Sequence, residues 1–357
     1  MLNMLLGRAL MRWLERLADS HRDADPPPAP TPAFSPVEPP PAQAREIVYP
    51  KVSRAAMGSL FEVYLAGRDR DALIAAGEQA LDEIERLDRQ LSHYRDDSDI
   101  TRLNQHAHDH WVRVEPRLYQ MLKRCADLCE QTGGAFDIAT GSLVKAWGFH
   151  QGGHRVPSPQ EIARLMESTG TYRILFDDED HLVHFTAPEL EVTLGAFGKG
   201  CAIDEAAERL RFYGVESAVI HGGQSTIYAL GAPPGEDAWT FAIKDPRDKT
   251  TVIQEAALRD EALSTSGSYE QFFEVDGERF SHILDPRTGR PVQGMLSVSV
   301  VAPSAADSDA LSTALFVMGS EAAQEFCRQR PEVRAIMMEH RSGGEIAITR
   351  IGFEHPE

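Results

Sequence analysis

Cysteine is scarce. The 357-residue chain has four (Cys125, Cys129, Cys201 and Cys327), and they form neither a Cys-x-x-Cys pair nor a zinc-finger spacing. A disulfide framework and a zinc finger are therefore poor candidates for what organises the fold. Long apolar runs are also missing; no stretch approaches the roughly 18 residues that a membrane-spanning helix needs. Positive charge is in the minority, with Lys plus Arg 36 against Asp plus Glu 55, a net charge of −19. Without a Lys/Arg run, a chain this acidic argues against nucleic-acid binding. It does not argue against a nucleotide whose phosphates are neutralised by a metal. Hydrophobic residues at 42% and charged residues at 25% are ordinary for a globular protein. The length suits one large domain or two ordinary ones, with a core that needs no staples.

The N-terminal segment differs from the rest. Residues 1–20 place Leu2, Leu6, Leu10, Trp13, Leu14 and Leu17 at helical spacing, with Arg8, Arg12 and Arg16 between them. This predicts an amphipathic helix that docks on the body or frays. A helix lying on a membrane surface and an unusual export signal are the alternatives. Arg8 interrupts the apolar stretch that a secretory signal requires, so a cytoplasmic or membrane-associated location is favoured over export. Residues 21–46 are rich in proline and read as a stiff linker. The folded domain is expected over 47–357.

In the body, strand material at Ile47–Leu65 precedes a helix over Asp71–Gln90, with Leu73, Ala80, Ile84, Leu87 and Leu91 on one face. A second helix is predicted over Pro116–Gln131, with Cys125 and Cys129 one turn apart in its packed face. Ser158-Pro159-Gln160-Glu161 reads as a capping box opening a helix that runs to Gly170. A hairpin follows at Arg173–Asp177 and His181–Phe185, then a helix over Gly200–Phe212. Strands are expected at Ser217–His221, Ser225–Leu230, Trp239–Ile243, Thr251–Ala256 and Leu296–Val301. A helix over Asp307–Met318 and closing strands at Val333–Glu339 and Glu345–Ile351 complete the chain. Hairpin-linked strands outnumber crossovers, so the predicted class is α+β, with antiparallel sheets flanked by helices.

Five clusters carry possible chemistry. In Asp307-Ser308-Asp309-Ala310-Leu311-Ser312-Thr313, Asp309 and Thr313 are four apart and share a helical face. A carboxylate with a hydroxyl is hard-oxygen chemistry suited to Mg²⁺; serving the helix dipole and backbone is the plainer alternative. Leu194-Gly195-Ala196-Phe197-Gly198-Lys199-Gly200 leads into a helix whose N-terminus favours anions, and Lys199 could meet a phosphate or simply be solvated. Ser266-Gly267-Ser268-Tyr269 precedes His282 and the turn Asp285-Pro286-Arg287-Thr288-Gly289. His282 is either a general base or a histidine fixed by that turn. Gly133-Gly134-Ala135-Phe136-Asp137, with Trp147-Gly148-Phe149, offers aromatics to a flat ring or to the core. Met57-Gly58-Ser59 and Tyr94 form the fifth cluster, Tyr94 being either a stacking partner or a surface tyrosine.

In this order the clusters resemble the ApbE family, the FAD:protein FMN transferases. Met57-Gly58-Ser59, Leu91 to Asn104, Gly133 to Asp137, Leu194 to Gly200 followed by Asp204, Ser266 to Tyr269 with His282 to Gly289, and Asp309 to Thr313 each match a family motif. The resemblance implies an ApbE-like fold and an enzyme that moves FMN from FAD to a Ser or Thr hydroxyl of an acceptor protein, releasing AMP. It implies Mg²⁺ held by Asp309, Thr313 and the carbonyl of Ala196. An FAD site is implied at Met57, Tyr94, Ala135, Phe136, Asp137, Lys199 and Ile283, with His282 as base. An FAD-binding protein without transfer activity and an FAD hydrolase giving FMN and AMP are the alternatives. The chain departs from the family pattern at Thr193 and Ser268, where an Asp is usual, at Gln224, which replaces the Asp after Gly222-Gly223, and at Ile138-Ala139, which replace Pro-Thr after Phe136-Asp137.

Overall fold

The computed structural model describes residues 46–149, 152–223, 225–248, 250–341 and 344–353. The expected N-terminal helix, most of the linker and Gln224 lie outside the described residues. No helix among the described residues is long and apolar enough to cross a membrane.

The framework is an eight-stranded sheet: β1 Lys51–Ala56, β2 Ser59–Leu65, β3 Ala218–Gly222, β4 Thr226–Leu230, β5 Glu261–Gly267, β6 Met295–Ala302, β7 Arg334–His340 and β8 Ile346–Ile351. Spatial order equals chain order, and every neighbouring pair is antiparallel. The class is α+β, as the hairpin-rich pattern implied. Helices lie in the connections: α1 Arg70–Leu91, α2 Asp99–His106, α3 Pro116–Gln131, α4 Gly141–Ala146, α5 Pro159–Met166, α6 Gly198–Phe212 and α7 Ala305–Arg328. α1 starts where Asp69 accepts the Ala72 N–H at 3.2 Å. Its buried stripe of Leu73, Ala80, Leu81, Ile84 and Leu87 joins the principal core on one sheet face, each leucine or isoleucine contributing about 1.5–3 kcal/mol. Helices α6 and α7 complete that layer. The other face carries Tyr64, Val219, Ile227, Leu263 and Val301 beneath a hairpin of Trp239–Lys244 and Val252–Leu258.

Several boundaries moved for physical reasons. Ser158 caps α5 by accepting the Glu161 N–H at 3.2 Å. The Glu161 carboxylate, however, pairs with Arg155, so no reciprocal box forms, and the helix stops at Met166 rather than Gly170. The helix expected to end at Met318 breaks there, since Gly319 has φ 77°, but resumes to Arg328. Strand β5, and the hairpin of Phe272–Val275 with Glu278–Ser281, have no counterpart in the sequence-based prediction. Cys125 is buried as expected, whereas Cys129 is only half-buried and donates to Asp137 Oδ2 at 3.4 Å.

Candidate active site

A cavity of about 1000 Å³ opens where the β1–β2 turn, β5 and β6 meet the N-termini of α6 and α7, and it gathers residues from all five sequence clusters. Each cluster is delivered by a local device. Met57 and Gly58 are the two turn residues between β1 and β2, with φ 48° and 66°. That is the left-handed pair a two-residue hairpin turn demands. Methionine is an uncommon choice for such a backbone, and holding it there presents Met57 to the cavity. Gly133 and Gly134, with φ 58° and 76°, reverse the chain after α3, and the Gly134 N–H closes on Cys129 O at 2.8 Å. The reversal sets Ala135 and Phe136 in the cavity wall, Phe136 tilted against Phe197.

Asp137 also lines the cavity, but its carboxylate is occupied within the protein. It accepts from Ala139 N at 2.7 Å, Thr171 N at 2.9 Å and Thr171 Oγ1 at 2.5 Å. Its carboxylate thus fastens the loop below the wall. Tyr94 stands at the rim, 60% exposed. Ile283 is buried in the wall beside His282.

The polar centre lies where α6 meets α7. Asp309, one turn into α7, is buried, and among the described residues its carboxylate accepts only the Gly200 N–H at 3.1 Å and the Thr226 hydroxyl at 3.5 Å. Burial raises its pKa above the usual carboxylate range, opposed by Lys199 and by these two donors. Thr313, one turn further, faces the same cavity with its Oγ1 3.2 Å from Ser266 Oγ. Ala196 lines the cavity beside them. Among the described residues no three His, Cys, Asp or Glu side chains form a metal-holding group. One carboxylate with neutral oxygens is instead the kind of donor set that Mg²⁺ uses when phosphate supplies the remaining ligands.

α6 begins without a side-chain cap and without an acid in its first turn. Its first N–H groups are engaged, Gly198 with Leu194 O at 2.7 Å and Gly200 with Asp309, so it is Lys199, facing the cavity at the positive end of the helix dipole, that attracts phosphate. Asp204 accepts from Ala305 N at 2.7 Å and Ala306 N at 2.9 Å, capping α7 from α6; burial pushes its pKa up to about 6. His282 Nδ1 bonds Gln271 O at 3.2 Å, which leaves Nε2 as the basic nitrogen. Burial lowers its pKa, with the Gln271 bond opposing and Lys199 adding to the fall. The turn after His282 is pinned by Trp147, whose Nε1–H donates to Gly289 O at 2.9 Å.

Some cavity residues went unrecognised in the sequence as site candidates. Glu270 has its pKa raised by burial, with Lys199 opposing and Asp309 adding. Thr265, Ser297 and Ser299 come from strands with no charge or motif to mark them. Thr193, one of the departures from the family pattern, also lines the cavity.

A sequence model described as the ApbE family matches residues 57–337. The FAD:protein FMN transferase of Escherichia coli (strain K12) is 30% identical over 298 residues, covering 82% of this chain and 85% of that protein. The one from Klebsiella pneumoniae (strain 342) is 33% identical over 291 residues, covering 80% and 88%. The crystal structure of the ApbE protein from Thermotoga maritima superimposes with a TM-score of 0.77 at 32% identity, covering 85% of this chain and 97% of that one. Pseudomonas stutzeri flavinyl transferase ApbE gives 0.75 at 29%, covering 87% and 96%. Fold and site together define an enzyme of the transferase class. The chain belongs to the ApbE family.

Proposed function

We propose that this enzyme transfers FMN from FAD to a Ser or Thr hydroxyl of an acceptor protein, with Mg²⁺ and with release of AMP. The observation that carries it is the buried Asp309 carboxylate, which has no cationic partner among the described residues and faces one cavity with Lys199 and the uncapped start of α6. Asp309, Thr313 and the Ala196 carbonyl would hold Mg²⁺, which supplies charge neutralisation at the pyrophosphate. Lys199, at the positive end of the α6 dipole, binds the phosphates, where charge accumulates as the bond breaks. Met57 and Phe136 offer the apolar surface that a flat ring requires.

The acceptor hydroxyl oxygen bonds to the FMN-side phosphorus while the bond to the bridging oxygen breaks, and AMP leaves with that oxygen. The hydroxyl proton passes to His282 Nε2. The test is the intact mass of a flavin-carrier domain, one known to take FMN from a relative, after incubation with the enzyme, FAD and Mg²⁺. An added FMN mass with equimolar AMP, abolished by chelator, is expected. AMP without added mass would replace transfer by hydrolysis.

Because burial lowers the His282 pKa, its base form persists below the ordinary histidine range. The acid limb of kcat/KM is therefore expected below about pH 6.5. His282→Ala should remove that limb and slow transfer by about 10²–10⁴-fold. An unchanged profile would remove His282 from the mechanism.

A further inference from the structure

The cavity extends beyond the metal and phosphate side, around the strand ends onto the opposite face of the sheet. Successive residues of a strand face opposite sides, and β5 uses this to serve both. Ser266 turns toward α7, 3.2 Å from Thr313 Oγ1. Thr265 turns the other way and bonds Ser299 Oγ, its register partner on β6, at 2.8 Å. Deeper beneath the hairpin this face is apolar, with Ile227, Leu263 and Val301. At the cavity it becomes hydroxylic: Thr265, Ser299, Ser297 and Ser225 form the floor, and residues 243–246 of the hairpin form the facing wall.

Small side chains leave this lobe open, and each hydroxyl can both donate and accept. That surface matches the alternating N–H and C=O groups of a peptide. Ala242, Ile243, Leu263 and Pro246 give it an apolar border, and none of these is aromatic. We infer that this lobe receives the acceptor protein as an extended segment of small residues. Its modified Ser or Thr lies at the inner end, where Thr265 gives way to Ser266. The inference rests on the transferase reading and assigns its second substrate a place.

Ser225 is suited to a test. Its carbonyl accepts the Thr265 N–H at 2.8 Å, a bond that side-chain replacement preserves. In the full chain with FAD, Mg²⁺ and the same carrier domain, Ser225→Phe is expected to raise KM for the carrier at least tenfold. The affinity for FAD, read from flavin fluorescence, should stay within twofold. Thr265→Ala should move KM for the carrier the same way, by a smaller factor. Should the phenylalanine variant not fold, Ser225→Cys labelled with a bulky maleimide fills the lobe after folding. Cys125, Cys201 and Cys327 are buried away from the reagent, and unsubstituted protein treated alike controls for half-buried Cys129. An unchanged carrier KM in the filled lobe would overturn the inference. A tenfold loss of FAD affinity would also overturn it, giving the lobe to half of FAD. Absence of transfer by the wild-type chain is a different result, and strikes the proposed function itself.

Discussion

Asp309→Asn is expected to lower kcat/KM for FMN transfer by about 10³-fold or more, equivalent to about 4 kcal/mol of transition-state stabilisation, while leaving the protein as stable as before or more so. The two effects separate because the carboxylate is costly to the fold. It is buried, and burial raises its pKa despite Lys199 and the Gly200 N–H. For a carboxyl raised in the folded state, the stability it contributes is greatest below the ordinary carboxylate range. That stability is lost as pH rises through the folded value. At pH 7.5 the neutral amide removes this cost, and its oxygen can still accept the Gly200 N–H. Thermal unfolding gives a readout independent of activity. Mg²⁺ at a hundred times its dissociation constant should stabilise the wild type by about 2.7 kcal/mol and leave Asp309→Asn unmoved. A variant that loses several degrees of Tm without metal would show that the carboxylate serves the fold, and the proposed metal role would fall.

What the sequence made legible, and what it did not, follows from how each feature is encoded. Helix α3 was readable to the residue because Pro116, the apolar stripe and Gly133 are local signals. Asp309 and Thr313 could be placed on one face from spacing alone, on a helix that Ser304 caps by accepting the Asp307 N–H at 3.1 Å. Strand β5 was missed because Glu-Ala-Leu-Ser-Thr-Ser-Gly lacks the apolar alternation of a half-buried strand. Two of its hydroxyls find partners on other elements: Thr265 on β6, and Ser266 on Ser312 and Thr313 of α7. Such partners are invisible until the chain has folded. Asp137 shows the converse limit. Its place in a motif says that it matters, but only the fold shows its carboxylate taken up by Ala139 and Thr171.

Gly200→Ala should destabilise the protein by about 3 kcal/mol, although helix propensity alone predicts the opposite. Gly200 lies in the first turn of α6, and in a helix alanine is ordinarily favoured over glycine by about 1 kcal/mol. Here the added Cβ would stand 2.2 Å from Ala305 O, 2.5 Å from Ala305 C and 2.6 Å from Ala306 Cα. The obstacle is backbone, so no side chain can rotate away, and the two helix ends must part. Parting them costs about 1–3 kcal/mol as overpacking, and about 1 kcal/mol more if the Asp204 cap on Ala305 and Ala306 is lost. For a domain of about 300 residues the sum should appear as a Tm lower by roughly 5 °C. The same separation draws the Gly200 N–H from Asp309, so activity should fall even at temperatures where the variant is fully folded. Gly198→Ala is the control for stability: its Cβ would meet Leu194 at 3.7 Å and Leu91 at 3.8 Å, ordinary contacts, and its Tm should hold. Equal Tm values for the two variants would mean that the α6–α7 crossing is looser than these distances, and that Gly200 serves the cavity rather than the helix contact.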